Sequence, residues 1–216
     1  MRGVTLVLLA VALHAHPAVA RAQALGREGA LALLATRLQP MRADQSLPDS
    51  LRSLPLETLL AAHNTNYAGW LDDAGMQRYV RLLASLTHYL PAAECGALLD
   101  PATKGQKDSD ALLLYADAPL LTEFAGVLEL IVRVRAGGHP LARIATPPEM
   151  QATILSAIAR LSPDDQTRLV TIARNPPPTP DDACWSVQQI FGMLSELPAD
   201  TLGPTARLMF GGAVGR

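Results

Sequence analysis

The chain has 216 residues, 49% of them hydrophobic and only 4% aromatic, so it can bury a core built mainly from Leu, Ala, Val and Ile. Its formal net charge of −2 gives no electrostatic footprint for nucleic acid. No block of like charges indicates binding to an anionic membrane, so composition predicts a globular protein with neither kind of partner.

Residues 1–24 are predicted to be a cleaved secretory signal peptide. Arg2 gives a positive start, the stretch 4–13 is apolar, and two small-x-small cleavage sequences follow. The apolar stretch is short for a bilayer span, which argues against a stable membrane anchor. A buried N-terminal helix is the alternative. The pattern predicts export to the periplasm or out of the cell, and it leaves 25–216 as a single all-helical domain.

The spacing of apolar and turn-forming residues divides the rest of the chain into about nine helices, most of them short. Predicted helices cover residues 25–38, 54–63, 72–89, 111–116 and 119–134. Further helices are predicted to begin at residues 91, 147, 163, 180 and 197. The stretches 41–53 and 100–109 are polar and contain turn formers, so they are predicted to be connecting loops.

Three of these helix starts carry the same capping pattern. A hydroxyl side chain at Thr146, Ser162 or Thr179 precedes a proline, and a carboxylate stands three positions after the hydroxyl. The hydroxyl can accept a backbone N–H, and proline at the first helical position loses no hydrogen bond. The carboxylate faces the positive end of the helix dipole. The pattern predicts three short consecutive helices.

The fold class follows from these patterns. No segment alternates apolar and polar residues over a useful length, so no strand is predicted. The recurring caps could indicate an α-solenoid, but the apolar stripes do not align as a repeat of about 34 or 40 residues. We therefore expect an all-α, irregular multi-helix bundle.

Cys95 and Cys184 are the two cysteines of the chain. An even pair in an oxidising compartment predicts one disulfide, which would close a loop of about 90 residues and contribute roughly 4 kcal/mol. The alternative is two buried free thiols, which behave as small hydrophobic side chains. Because only two cysteines are present and they are far apart in the sequence, neither a Cys-rich zinc site nor a C-x-x-C redox site is predicted.

Motifs of catalysis and cofactor binding are missing from the sequence. His63, His88 and His139 do not stand at the spacing of metal ligands, and there is no G-x-S-x-G elbow. No phosphate-binding glycine loop or dinucleotide fingerprint is present either. We assign no catalytic residue, metal or cofactor, and expect a protein that is not an enzyme.

The most polar cluster beside a predicted helix break is the first candidate binding site. It consists of His63, Asn64, Asn66, Tyr67 and Trp70. Loops with such side chains often carry binding sites, and Tyr and Trp offer both apolar area and a hydrogen-bond donor. The alternative is an ordinary turn between two helices, with the aromatic residues as core anchors.

Trp185 is the second candidate binding residue. It is predicted to lie off the main apolar stripe of the helix that begins after Thr179. A tryptophan in that position could contact a partner protein. The alternative is that it packs against a further helix of the same fold.

These observations predict an exported helical interaction or structural protein without catalytic activity. The expected partner is another envelope or secreted protein, contacted through an apolar helix face. One alternative is a small envelope hydrolase with its site near His63 to Tyr67. Another is a carrier that holds an apolar ligand between its helices, because helical bundles can open such pockets.

Overall fold

A computed structural model describes the chain over residues 24–64, 71–99, 106–137, 142–174 and 179–210. These ranges contain twelve α-helices and no β-strand. The prediction of an all-α, multi-helix fold is confirmed. The predicted signal peptide lies outside the described residues, except for its last position.

The α-helices, in chain order, are α1 (Gly26–Arg37), α2 (Gln39–Ala43), α3 (Asp49–Arg52), α4 (Leu56–Asn64), α5 (Asp73–Leu86), α6 (Ala92–Gly96), α7 (Gln106–Tyr115), α8 (Ala118–Gly137), α9 (Pro147–Ile158), α10 (Pro163–Arg174), α11 (Pro180–Ser195) and α12 (Ala199–Phe210). A 3₁₀ helix (Ala97–Leu99) follows α6 directly. Three of the α-helices, α2, α3 and α6, have only four or five residues.

Two segments predicted to be loops are partly helical, which corrects the sequence analysis. Most of α2 and all of α3 fall within 41–53, because Met41 and Leu51 reach into the core and are buried there. Burial of one large side chain stabilises a short helix that would not form alone. In the second segment, α7 begins at Gln106, because Gln, Lys and Asp are compatible with a helix even though they are polar.

Helix α5 lies at the centre of the fold and contacts α8, α11 and α12. Its apolar residues recur at helical spacing, and this stripe faces the core. The buried residues of α5 are Gly75, Met76, Tyr79, Val80, Leu82, Leu83 and Leu86. The helix predicted over 72–89 is therefore confirmed.

Helix α8 forms the second axis of the core. It has 20 residues and packs against α1, α4 and α5. Helices α1 and α4 also contact α7. The four helices α1, α4, α7 and α8 therefore enclose one part of the core. The buried residues of α8 are Leu120, Leu121, Phe124, Ala125, Val127, Leu128, Ile131 and Val132.

Helices α11 and α12 also pack against α5. Helix α6 packs along α11, α12 packs along α5, and α9 contacts both α11 and α12. A second, smaller apolar cluster of buried residues lies where α9, α10 and α11 meet, and it consists of Ala157, Leu169 and Met193. Helices α9 and α10 therefore rest on a satellite cluster rather than on the main core.

The three predicted caps are present at the starts of α9, α10 and α11. The Thr146 hydroxyl accepts the Glu149 N–H, and the Glu149 carboxylate accepts the Thr146 N–H at 2.8 Å, which completes a capping box. The Ser162 and Thr179 hydroxyls each accept the N–H three residues later, at 3.1 Å. The predicted helix starts are therefore confirmed.

Candidate functional site

The predicted polar cluster lies only partly within the described chain. His63 and Asn64 form the last turn of α4, whereas Asn66, Tyr67 and Trp70 lie outside the described residues. The cluster therefore stays a prediction. The chain is described again from Leu71, whose side chain is buried.

Leu71 is held in place by Arg207, which the sequence analysis did not single out. The Arg207 side chain is 2% exposed. Its Nη1 donates to the Leu71 carbonyl oxygen and its Nε to the Arg143 carbonyl oxygen, both at 2.8 Å, while Nη2 pairs with the Asp73 carboxylate. All three nitrogens are thus engaged in joining α12 to the start of α5 and to the segment before α9, which makes Arg207 a structural clamp.

The close approach of α12 to α5 brings Arg207 to its partners. A Cβ atom at Gly203 would overlap the Asp73 carboxylate, so only glycine fits where the two helices meet. The carbonyl oxygen of Pro204 accepts the Ala145 N–H at 3.0 Å, which adds a backbone link beside the clamp. These contacts fix the position from which α9 begins.

Trp185 lies on α11 and packs against α10. It is half-buried and contacts the satellite cluster, and the Arg168 guanidinium carbon lies 4.2 Å from the centroid of its ring. Arg168 also donates to the Asp182 carboxylate at 2.7 Å, and together with the Thr179 hydroxyl it lowers the pKa of Asp182. Trp185 therefore helps to fasten α10 to α11, and a role in partner binding stays a prediction.

The two cysteines meet where α6 packs on α11. The Sγ atoms of Cys95 and Cys184 lie 2.09 Å apart, and both side chains are buried. The prediction that they lie at disulfide distance is confirmed. The helix backbones approach closely beside the bond, because a Cβ at Gly96 would lie 2.8 Å from the Ala183 Cβ.

Helix α9 presents a mostly apolar, uncharged surface to solvent. We call this surface the α9 face, and it consists of Pro148, Gln151, Ala152, Leu155 and Ser156, all exposed. Leu155 is 57% exposed, and Ala157 is the one residue of α9 that is buried. The available sequence signal was the absence of charge from 150 to 159, but sequence could not indicate which side of the helix stays uncovered.

A groove lies between α5 and the start of α8. It comprises two adjoining cavities of about 560 Å³ and 410 Å³, which share Ser85, Leu120 and Glu123. Its remaining lining residues are Arg37, Ala74, Gln77, Arg78, Arg81, Leu82, Tyr89, Ala118, Pro119 and Thr122. The groove is therefore an apolar trough with charged edges.

Two further properties of the described residues bear on function. No three side chains of His, Cys, Asp or Glu are grouped so that they could hold a metal ion within these ranges. In the same part of the chain, every helix is too short or too polar to cross a bilayer. Two surfaces of the described chain, the α9 face and the groove, are considered further.

Known proteins provide no assignment for these surfaces. Comparisons of the chain with protein-family models, curated proteins and solved structures found no match. The function is therefore inferred from what the α9 face and the groove can bind.

Proposed function

We propose that this chain is an exported helical interaction protein without catalytic activity. It binds another envelope or secreted protein through the α9 face. The observation that carries the proposal is the exposure of α9, which carries no charge after Glu149 in its first turn and buries one residue, while α5, of similar length, buries seven. Leu155, at 57% exposure, lies at the centre of the exposed side.

The composition of the α9 face favours a protein partner. Burying a leucine side chain contributes about 1.5–3 kcal/mol, so Leu155 can anchor an interface. The small side chains of Ala152 and Ser156 let the surface of a partner helix approach closely. No charged group from 150 to 159 has to be desolvated when the partner binds.

The α9 face is presented by a helix whose start is fixed. The capping box between Thr146 and Glu149 defines the first turn, and the Arg143 guanidinium holds the Glu149 carboxylate at 2.8 Å. Arg207 anchors the same segment to α12 through the carbonyl oxygen of Arg143. A surface that is already ordered loses less conformational entropy on binding, which supports a role as a docking face.

Export is supported by the cysteine pair. Disulfides persist in oxidising compartments and are rare in the reducing cytosol, so the bond between Cys95 and Cys184 fits a periplasmic or secreted protein. The amino-terminal sequence pattern points in the same direction.

The test compares two exposed leucines. The chain is recovered from the envelope and secreted fractions of its own host, and native mass spectrometry measures the share of molecules that carry a second, different chain. Leu155→Arg should lower that share about tenfold, because a charge replaces the central apolar contact. Leu114→Arg is the matched control, since Leu114 is 45% exposed on α7, away from the α9 face.

Three results would contradict the proposal. The first is a parent protein that carries no second chain in either fraction. The second is an equal loss of complex in the Leu155 and Leu114 variants, which would deny the α9 face its specific role. The third is turnover of a substrate that depends on a residue of this chain, which would replace the non-catalytic function with an enzymatic one.

A further inference from the structure

The groove between α5 and α8 carries an excess of positive charge. Three arginines line it, Arg37 from α1 and Arg78 and Arg81 from α5, against one lining carboxylate, Glu123. Glu123 is neutralised by Arg78, whose Nη2 lies 3.0 Å from its Oε2. Within the described residues, neither Arg37 nor Arg81 forms an ion pair, and both are exposed. This local charge stands out in a chain with a net charge of −2.

The edge of the groove is held in a defined shape. Arg78 lies directly on the backbone of α8, because a Cβ at Gly126 would overlap its guanidinium group. The Arg81 Nε approaches the Ser195 carbonyl oxygen at 3.4 Å, which directs this side chain toward the end of α11. The arginines therefore project from helices that already pack together.

Asp117 does not line the groove, and both of its carboxylate oxygens are engaged within the fold. Asp117 is buried and accepts the Leu120 N–H at 2.9 Å, so it caps α8. It also accepts the Tyr89 hydroxyl at 2.9 Å, and burial together with this contact raises the pKa of Tyr89. Tyr89 therefore stays protonated and stands between the Asp117 carboxylate and the groove that it lines.

The floor of the groove is mostly apolar. Leu82, Pro119 and Leu120 line it, and the hydroxyl groups of Ser85 and Thr122 lie among them. Apolar side chains fit such a floor, while carboxylates fit the arginine edge, which offers planar donors suited to carboxylate oxygens. A dense polyanion such as polyphosphate fits less well, because it would meet Glu123 and would leave the floor unfilled.

We propose that this groove binds an extended acidic segment of a partner protein. The carboxylates of the segment pair with Arg37 and Arg81, and an apolar side chain between them packs on Pro119 and Leu120. In an extended segment, alternate residues point to opposite sides, so alternating acidic and apolar residues can satisfy the edge and the floor together. The groove is separate from the α9 face. Through it the protein selects a partner segment by its negative charge.

The experiment uses the purified full chain with its disulfide intact. Fluorescence anisotropy measures the binding of a labelled peptide that alternates glutamate with leucine, and of a matched peptide with glutamine at each glutamate position. The glutamate peptide should bind, more weakly as salt is added, and the glutamine peptide should bind at least about tenfold more weakly.

Variants of the chain then locate the site. The double variant Arg37→Gln and Arg81→Gln should weaken binding of the glutamate peptide about tenfold or more, because both charge-assisted contacts are lost. Arg160→Gln is the control for each of the single variants Arg37→Gln and Arg81→Gln, since it removes one positive charge from an exposed position outside the groove. Leu155→Arg should also leave peptide binding unchanged, which separates this site from the α9 face.

Several outcomes would overturn the inference. They are equal affinity for the two peptides, no binding of either, and no effect of the double variant. Tighter binding of inorganic polyphosphate or of anionic phospholipid vesicles than of the glutamate peptide would also overturn it, in favour of a polyanion or a lipid surface. A failure of this kind leaves the α9 proposal standing, because that proposal is measured with the native partner.

Discussion

Arg207 and Thr146 illustrate two ways in which a single residue organises this fold. Thr146 acts locally, by capping the helix that it precedes. Arg207 acts over 64 and 136 positions of sequence, through the carbonyl oxygens of Arg143 and Leu71. Both carbonyl groups would lose a charged donor if the guanidinium were removed, and hydrogen bonds to charged groups are the stronger ones.

We expect Arg207→Met to lower the free energy of unfolding by about 3 kcal/mol, because a buried charged donor with three partners is lost. Urea denaturation followed by tryptophan fluorescence measures the change. Asp73→Asn is the control, since Asp73 is 41% exposed and its substitution keeps both carbonyl contacts, so it should cost less than Arg207→Met does. Similar stabilities for the parent and the Arg207 variant would contradict the clamp.

The sequence predicts the role of Thr146 but not that of Arg207. The donor and acceptor of the Thr146 cap lie three residues apart, so the pattern is complete within one turn. Arg207 is chemically the same as every other arginine of the chain. Its role arises only when α12 packs against α5 at Gly203, and no local pattern contains that contact.

At the scale of elements, α9 depends on its first turn. Glu149 accepts the Thr146 N–H and hydroxyl and pairs with Arg143, and these contacts lower the pKa of Glu149 below its ordinary value of 4.5. A carboxyl group with a lowered pKa in the folded state contributes stability above its unfolded pKa. That contribution is lost as the pH falls through the folded pKa.

We therefore expect Glu149→Ala to reduce the acid sensitivity of the protein. The melting temperature of the parent should fall as the pH is lowered from neutral through 4.5 to well below it, and the fall should be smaller in the variant. Glu28→Ala is the control, because Glu28 is an exposed glutamate in the first turn of α1. Thermal melts across this range measure the effect, and equal acid sensitivity of parent and Glu149 variant would refute it.

Helix α9 also shows what an apolar sequence pattern leaves undetermined about packing. The apolar stripe of Met150, Ile154 and Ile158 lies on the inner side of α9, but these residues are only half-buried. Periodicity identifies the side of a helix that turns inward. It does not indicate how many neighbours cover the helix, and the small satellite cluster leaves Leu155 uncovered.

At the scale of the whole molecule, the disulfide joins α6 to α11 through two cysteines that are 89 residues apart in sequence. The pairing could be predicted because only two cysteines are present. The two helices that they join follow from the predicted helix starts at 91 and 180, but the way in which α6 packs along α11 depends on long-range contacts that no local pattern contains.

Replacing both cysteines by alanine should lower the free energy of unfolding by about 4 kcal/mol, because the unfolded chain regains the entropy of an open loop. For a domain of this size the melting temperature should fall by about 10 °C. Thermal and urea denaturation measure both quantities, and the parent in reducing buffer should match the variant. Equal stability of the oxidised parent and the variant would show that the bond adds nothing to the fold.

The same bond determines what a protease can release from this protein. The chain between Cys95 and Cys184 includes α7, α8, α9 and α10, and with them the α9 face and the α8 side of the groove. One cut anywhere in this interval leaves two pieces that remain covalently joined. In a compartment rich in proteases, the nicked molecule keeps its mass and both candidate surfaces, whereas a cut before Cys95 leaves the first helices held by packing alone.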